Sequence, residues 1–238
     1  MIPKVIHYIW LGSKPKPNLV NICINSWKKE LGDYEIKEWN EKNLNLDQIA
    51  SENSFFAECR KRKLWAYMAD YLRLKILYEQ GGIYFDTDVQ VLRNFDPLLI
   101  NHTFIGYEAE NYIGTGTIAC ERYSPAIKAF LEFYDDEIWN STLFTIPQII
   151  TEVIKHNNNL NITIYPQHYF APYNPYIGYH EDDIQTDTYC VHWYNAEWVD
   201  NPAIRNFLEV KHIHNPVCKS WVVFRKNIRF YFRKITKR

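Results

Sequence analysis

What the 238 residues lack narrows the field first. No two cysteines form a C-x-x-C pair; the five, Cys23, Cys59, Cys120, Cys190 and Cys218, are far apart and odd in number. That spacing argues against a structural zinc site or a disulfide framework and fits a reducing compartment. No apolar run approaches the roughly 18 residues of a membrane-spanning helix. The opening, Met1-Ile-Pro-Lys-Val-Ile-His-Tyr-Ile-Trp10, is too short for a signal-peptide core and shows no cleavage site. The expectation is a cytoplasmic protein, soluble or peripheral on the inner face of the plasma membrane. Repeats and low-complexity tracts are also missing. At 47% hydrophobic and 23% charged residues the chain is not expected to be disordered, and its length suits one domain with a short appendage.

Acidic residues are missing from one region only. Residues 210–238 hold nine Lys and Arg and no Asp or Glu, which leaves 18 basic against 28 acidic residues in 1–209. A division into a body, 1–209, and a basic tail, 210–238, follows. In the tail, Trp221, Phe224, Ile228, Tyr231, Phe232 and Ile235 recur at helical spacing. Arg225, Lys226, Arg229, Arg233 and Lys237 gather opposite them, with Phe230 intruding. An aromatic face backed by a basic one reads as a helix lying in an anionic membrane surface. Docking on the body or on a partner subunit is the alternative. The acidic body argues against nucleic acid as a partner.

Local patterns predict an α/β fold. Lys4–Trp10 reads as a buried first strand, Asn21–Leu31 as a helix and Tyr34–Trp39 as a second strand, a βαβ unit that implies a largely parallel sheet. Trp65–Gln80 is the strongest helix, sixteen residues without Gly or Pro and stopped by Gly81-Gly82. Ile83–Phe85 is then a short strand running into Asp86-Thr87-Asp88. Further on, Phe104–Tyr107 and Tyr112–Cys120 are extended, Ser124–Asp135 and Pro147–His156 helical, and Thr163–Tyr165 a late strand.

Three groups of residues carry chemistry. Asp86 and Asp88 sit two apart at the carboxyl end of a strand, where open α/β sheets bind ligands, and two hard carboxylates suit Mg²⁺ or Mn²⁺ completed by substrate phosphates. A solvated turn is the bland reading. Asp70 and Arg73 share one face of a nearly all-apolar helix, so the pair is partly buried and either bridges internally or meets a ligand. His192 offers an imidazole that favours Mn²⁺ if it joins the aspartates, though a lone histidine is more often structural. The aromatic surplus, 16% with 8 Trp and 18 Tyr, serves either a rigid core or flat platforms for sugars and bases; Trp10 is open to both readings.

Three blocks resemble the glycosyltransferase family 32 sugar transferases. Ile2–Gly12 is similar to the family's opening. Ala69–Val89, which contains Asp70, Arg73, the double glycine and Asp86-Thr87-Asp88, resembles its DxD signature. Ile164–Pro172 with Thr188–Trp198 is similar to its C-terminal region. The resemblance implies a GT-A-like Rossmann-type mixed sheet flanked by helices, a nucleotide-sugar donor (a UDP-sugar foremost), a Mn²⁺ or Mg²⁺ ion, and a hexose moved with retention to a glycan or lipid-linked oligosaccharide in polysaccharide synthesis. By position it implies that Asp86 and Asp88 hold the metal, Asp88 most directly, and that Asp70 and Arg73 hold the donor sugar and diphosphate. Trp10 matches a nucleobase contact with Ile9 beside it as a donor-binding residue, and His192 and Trp198 match a His and a Trp that close over the donor. Relatives often read His-His-x-x-x-Ser-Trp where His192-Trp-Tyr-Asn-Ala-Glu-Trp198 stands, so Trp193 and Glu197 depart from the pattern, and the role of Glu197 is open. The acceptor side, with Gly114-Thr-Gly-Thr117, matches least well. Two other classes compete. A glycan-binding module would explain the aromatics without needing the four charged residues. A DxD phosphohydrolase would want Thr or Val where Gln90 stands.

Overall fold

Alternation of β-branched and aromatic residues builds β1 (Val5–Ile9), and Pro17 precedes α1 (Asn18–Glu30), which leads to β2 (Glu35–Trp39). The computed structural model describes residues 1–12, 14–173, 178–195 and 207–236. Two short helices follow, α2 (Leu46–Glu52) and α3 (Ser54–Lys61). They lie in a segment whose periodicity is too brief to read. Their signal is capping: the side chains of Asn45 and Asn53 accept hydrogen bonds from the backbone N–H of Gln48 and Phe56. The long helix α4 spans Trp65–Gln80 as its pattern predicts, and β3 (Gly82–Phe85) follows the double glycine. Gly81 and Gly82 have φ of +67° and +99°, and a Cβ on Gly82 would stand 2.6 Å from the Val5 carbonyl oxygen, so only glycine fits there.

The rest of the chain adds β4 (Val89–Val91), β5 (Thr103–Ala109), β6 (Tyr112–Cys120), α5 (Pro125–Glu132), α6 (Ile146–His156), β7 (Thr163–Tyr165), the single turn α7 (Gln167–Phe170), β8 (Cys190–His192) and α8 (Pro216–Thr236). Helix α5 gives way to a π-helical turn at Phe133–Glu137 instead of running unchanged to Asp135. The main sheet has the order β2-β1-β3-β6-β5-β7. β1 is parallel to β2 and β3, β6 is antiparallel to β3 and β5, and β7 is parallel to β5. β4 and β8 form a separate antiparallel pair in which Val89 faces His192. This is a mixed α/β, GT-A-like architecture.

Two apolar layers enclose the sheet. Leu72, Leu77, Phe56, Ile118 and Ile150 belong to one, and Trp27, Phe85, Phe95, Phe104 and Phe170 to the other. Ten of the sixteen α4 residues are buried, so the helix is covered nearly all round and carries its polar pair into the interior. His7 pins α4 to the sheet. Its Nε2 lies 2.8 Å from the Gly81 carbonyl oxygen and its Nδ1 3.1 Å from the Trp39 indole nitrogen. An indole N–H only donates, so Nδ1 accepts and Nε2–H donates to Gly81. Burial pushes the His7 pKa down to about 4.

Beyond the body's last helix, Leu208, Val210 and Lys211 are buried, and the Lys211 ammonium donates to the carbonyls of Ile138 and Ser141. Contact with the body thus continues into the basic segment. In α8, Val217, Trp221, Phe224 and Ile228 are exposed, Arg225 lies over the Trp221 ring at 4.6 Å, and Lys226 pairs with Glu209. Among the described residues no helix is long and apolar enough to cross a membrane.

Candidate active site

The site forms where α4, the end of β3 and the β4–β8 pair meet. After β3 the backbone turns: the Asp86 N–H donates to the Gly116 carbonyl at 2.8 Å, and Val89 N–H closes back on the Asp86 carbonyl at 3.0 Å. The turn makes the two aspartates converge. Asp86 accepts from the Tyr84 hydroxyl at 2.9 Å and stands 3.2 Å from a guanidinium nitrogen of Arg73. Asp88 is held from the other side, its Oδ2 accepting from the Asn195 N–H at 2.8 Å and its carbonyl from the Trp193 N–H at 3.1 Å. β8 then delivers His192, whose Nε2 lies 3.3 Å from Asp88 Oδ1 and 3.9 Å from Asp86 Oδ2. One ligating atom each from Asp86, Asp88 and His192 lies within 4.8 Å of the others. The sequence-predicted trio comes together.

Arg73 organises the floor. Its guanidinium, buried with 6% of the residue exposed, donates to Asp70 Oδ1 at 2.9 Å and to the Thr115 carbonyl at 2.8 Å, and lies 4.6 Å over the Tyr84 ring. Burial opposes its charge, but the carboxylates of Asp86 and Asp70 outweigh burial and hold its pKa above the ordinary arginine value. Asp88 and His192 sustain each other's charge in the same way. Burial works against both, yet the attraction of the pair lowers the Asp88 pKa and raises that of His192.

These groups line a cleft of about 280 Å³ together with Ile9, Ala66, Ala69, Tyr194 and Asn195. Of the two first-strand residues expected at the donor, Ile9 faces this cleft. Trp10 lies outside its lining: the indole is 7% exposed, packs in the apolar layer of Trp27 and donates to the Lys14 carbonyl. Trp198 and Glu197 lie outside the described residues. Sequence reasoning missed Tyr84 and Asn195, which orient the aspartates, and Glu108 on β5. Glu108 and His192 share a second, narrow crevice with Gly114 and Gly116. Burial raises the Glu108 carboxyl pKa to about 7, His192 opposing the rise and Asp86 adding to it. The only trace of this crevice in the sequence is the alternation Gly114-x-Gly116.

Residues 17–105 match the glycosyltransferase sugar-binding region containing the DXD motif. An uncharacterised glycosyltransferase of Acanthamoeba polyphaga mimivirus is 27% identical over 229 residues, 90% of each chain. Inositol phosphoceramide mannosyltransferase 3 of Schizosaccharomyces pombe is 34% identical over 104 residues, 41% of this chain and 27% of the yeast protein. Among solved structures, the PaToxG glycosyltransferase superposes with a TM-score of 0.52 at 18% identity over 65% of this chain and 69% of its own, a likeness of fold. With the Asp86-Thr87-Asp88 turn placed as described, these likenesses support a DXD-containing glycosyltransferase.

Proposed function

We propose that this glycosyltransferase moves a hexose from a nucleoside-diphosphate sugar, a UDP-sugar foremost, to a glycan or lipid-linked acceptor with retention of anomeric configuration. One observation carries the reading: a buried arginine, two converging carboxylates and an imidazole surround one cleft of sugar size. The set of two hard oxygen donors and one nitrogen fits a divalent ion, and the imidazole favours Mn²⁺ over Mg²⁺. Bound there by Asp86, Asp88 and His192, such an ion would neutralise the charge that develops on the leaving diphosphate. Arg73 adds a preorganised positive group that needs no rearrangement, and Asp70 accepts hydrogen bonds from donor sugar hydroxyls. No carboxylate is assigned as a nucleophile, so same-face attack, with the leaving phosphate taking the acceptor proton, is the favoured route.

The yeast relative is named for a hexose, mannose, and for a lipid, inositol phosphoceramide. That name and the exposed stripe of Trp221, Phe224 and Ile228 beside Arg225 and Lys226 support a lipid-linked acceptor approached from an anionic cytoplasmic membrane surface. Polysaccharide synthesis is the process such an enzyme serves.

Release of nucleoside diphosphate from a panel of nucleotide sugars, with Mn²⁺ and with chelator, tests the function. Metal-dependent turnover of one donor, lost in Asp88→Ala, is the expected result. Failure of every donor to bind in the presence of Mn²⁺ would leave a glycan-binding module as the better reading. Flotation with anionic vesicles tests the tail: deleting 217–238 should release the protein, and unchanged flotation would remove that part.

A further inference from the structure

Gly114 and Gly116 lie two apart on β6, where the β5–β6 ladder shifts register, and both line one narrow crevice. Each is covered by one side chain. A Cβ on Gly114 would stand 2.9 Å from the Cβ of Glu108 and 3.3 Å from its Oε2; one on Gly116 would stand 2.9 Å from His192 Nδ1. Glu108 of β5 and His192 of β8 therefore meet over the two glycines of β6. Together they wall a crevice of about 10 Å³, room for roughly one water or hydroxyl group. His192 is also a wall of the donor cleft, so the crevice opens directly beside the reacting centre.

Glu108 takes no hydrogen bond and no ion pair among the described residues, although Arg73, His192 and Tyr112 all lie near enough to feel its charge. A half-buried carboxylate at the wall of a crevice is placed to take a hydrogen bond from a bound molecule. In its ionised form the carboxylate accepts, and only a small O–H or N–H group fits the crevice. The acidic surroundings of Asp86 and Asp88 disfavour an anion, and the room for one hydroxyl fits a neutral polyhydroxyl ligand.

We propose that Glu108 binds the acceptor: one hydroxyl of the incoming sugar enters this crevice and donates to the Glu108 carboxylate, seating the acceptor against the His192 side of the donor. The proposal rests on the glycosyltransferase reading given above and extends it to the crevice that shares His192 with the cleft.

Ligand-observed NMR titration with the methyl glycosides of glucose, galactose, mannose and their N-acetylated forms tests the seat without requiring turnover. Wild type should bind at least one of them, Glu108→Gln at least tenfold more weakly, and Glu108→Asp in between, while Mn²⁺–UDP binding and melting temperature stay at their wild-type values in both variants. Equal glycoside affinity in wild type and Glu108→Gln would overturn the proposal, as would a wild type that binds none. Loss of Mn²⁺–UDP binding together with glycoside binding would also overturn it, because Glu108 would then serve the donor side. The donor panel reports on the transferase reading separately: no nucleotide-sugar binding by wild type counts against that reading, while the glycoside titration still decides Glu108.

Discussion

The imidazole of His192 occupies the space that Gly116 leaves by having no side chain: a Cβ there would stand 2.9 Å from Nδ1 and 3.0 Å from Cε1. A strand glycine with ordinary backbone angles thus sets where the third donor of the Asp86–Asp88–His192 cluster lies. Gly116→Ala should leave the fold intact and push the ring off its position. Mn²⁺ affinity, read by isothermal titration, should fall at least tenfold with the melting temperature nearly unchanged.

The contrasting glycine is Gly82. Its φ of +99° and the 2.6 Å approach to the Val5 carbonyl leave no soft neighbour to move aside. Gly82→Ala should cost at least about 2 kcal/mol of stability, since both backbone strain and a main-chain clash oppose it. Urea unfolding of the two alanine variants side by side would separate a site glycine from a fold glycine.

Arg73 makes a third prediction. Its charge is buried and held by Asp70 and Asp86. Asp70→Ala removes one holder and leaves an undercompensated cation, a change that typically costs about 3 kcal/mol. Stability in urea should drop by that order. Donor binding should fall as well, in contrast to Gly116→Ala, where the metal is lost first.

His7 gives a pH dependence. In the unfolded chain its imidazole takes up a proton near pH 6.5, while in the folded protein burial delays uptake to about pH 4. Proton uptake therefore favours the unfolded state across that window. The contribution is fully present above pH 6.5 and is lost as pH falls toward 4, about 3 kcal/mol in all. Chemical denaturation between pH 7 and 4 should show this decline in wild type, and His7→Gln should lack that share of it.

The stretch from Ala69 to Val89 was legible because everything it needs is local: an apolar helix, a double glycine, a short strand and two acids, in one continuous run. Along β1, alternation separates Ile9 from Trp10. Ile6, Tyr8 and Trp10 pack in one apolar layer and Ile9 in the other, so only Ile9 reaches the cleft. Glu108 was not legible for a different reason. The β5–β6 ladder shifts register between Ile105 and Gly106 and again between Tyr107 and Ala109. A bulged strand does not obey strict alternation, so the face its side chain takes depends on the partner strand. Likewise β4 and β8, three residues each, have no period to read, and their pairing with each other is a property of the folded chain. Helices α2 and α3 showed only their asparagine caps.

The pairing of Val89 with His192 also bears on how the protein comes into being. Synthesis delivers Asp86 and Asp88 early, embedded in a helix and strand that are adjacent in the chain, whereas the imidazole arrives on a strand made much later. A nascent or truncated chain therefore has two acids and no third donor, with Asp88 still lacking the N–H of Asn195 that fixes it. The Asp86–Asp88–His192 cluster is complete only when the late ladder closes, so the order of translation itself withholds it from an unfinished molecule.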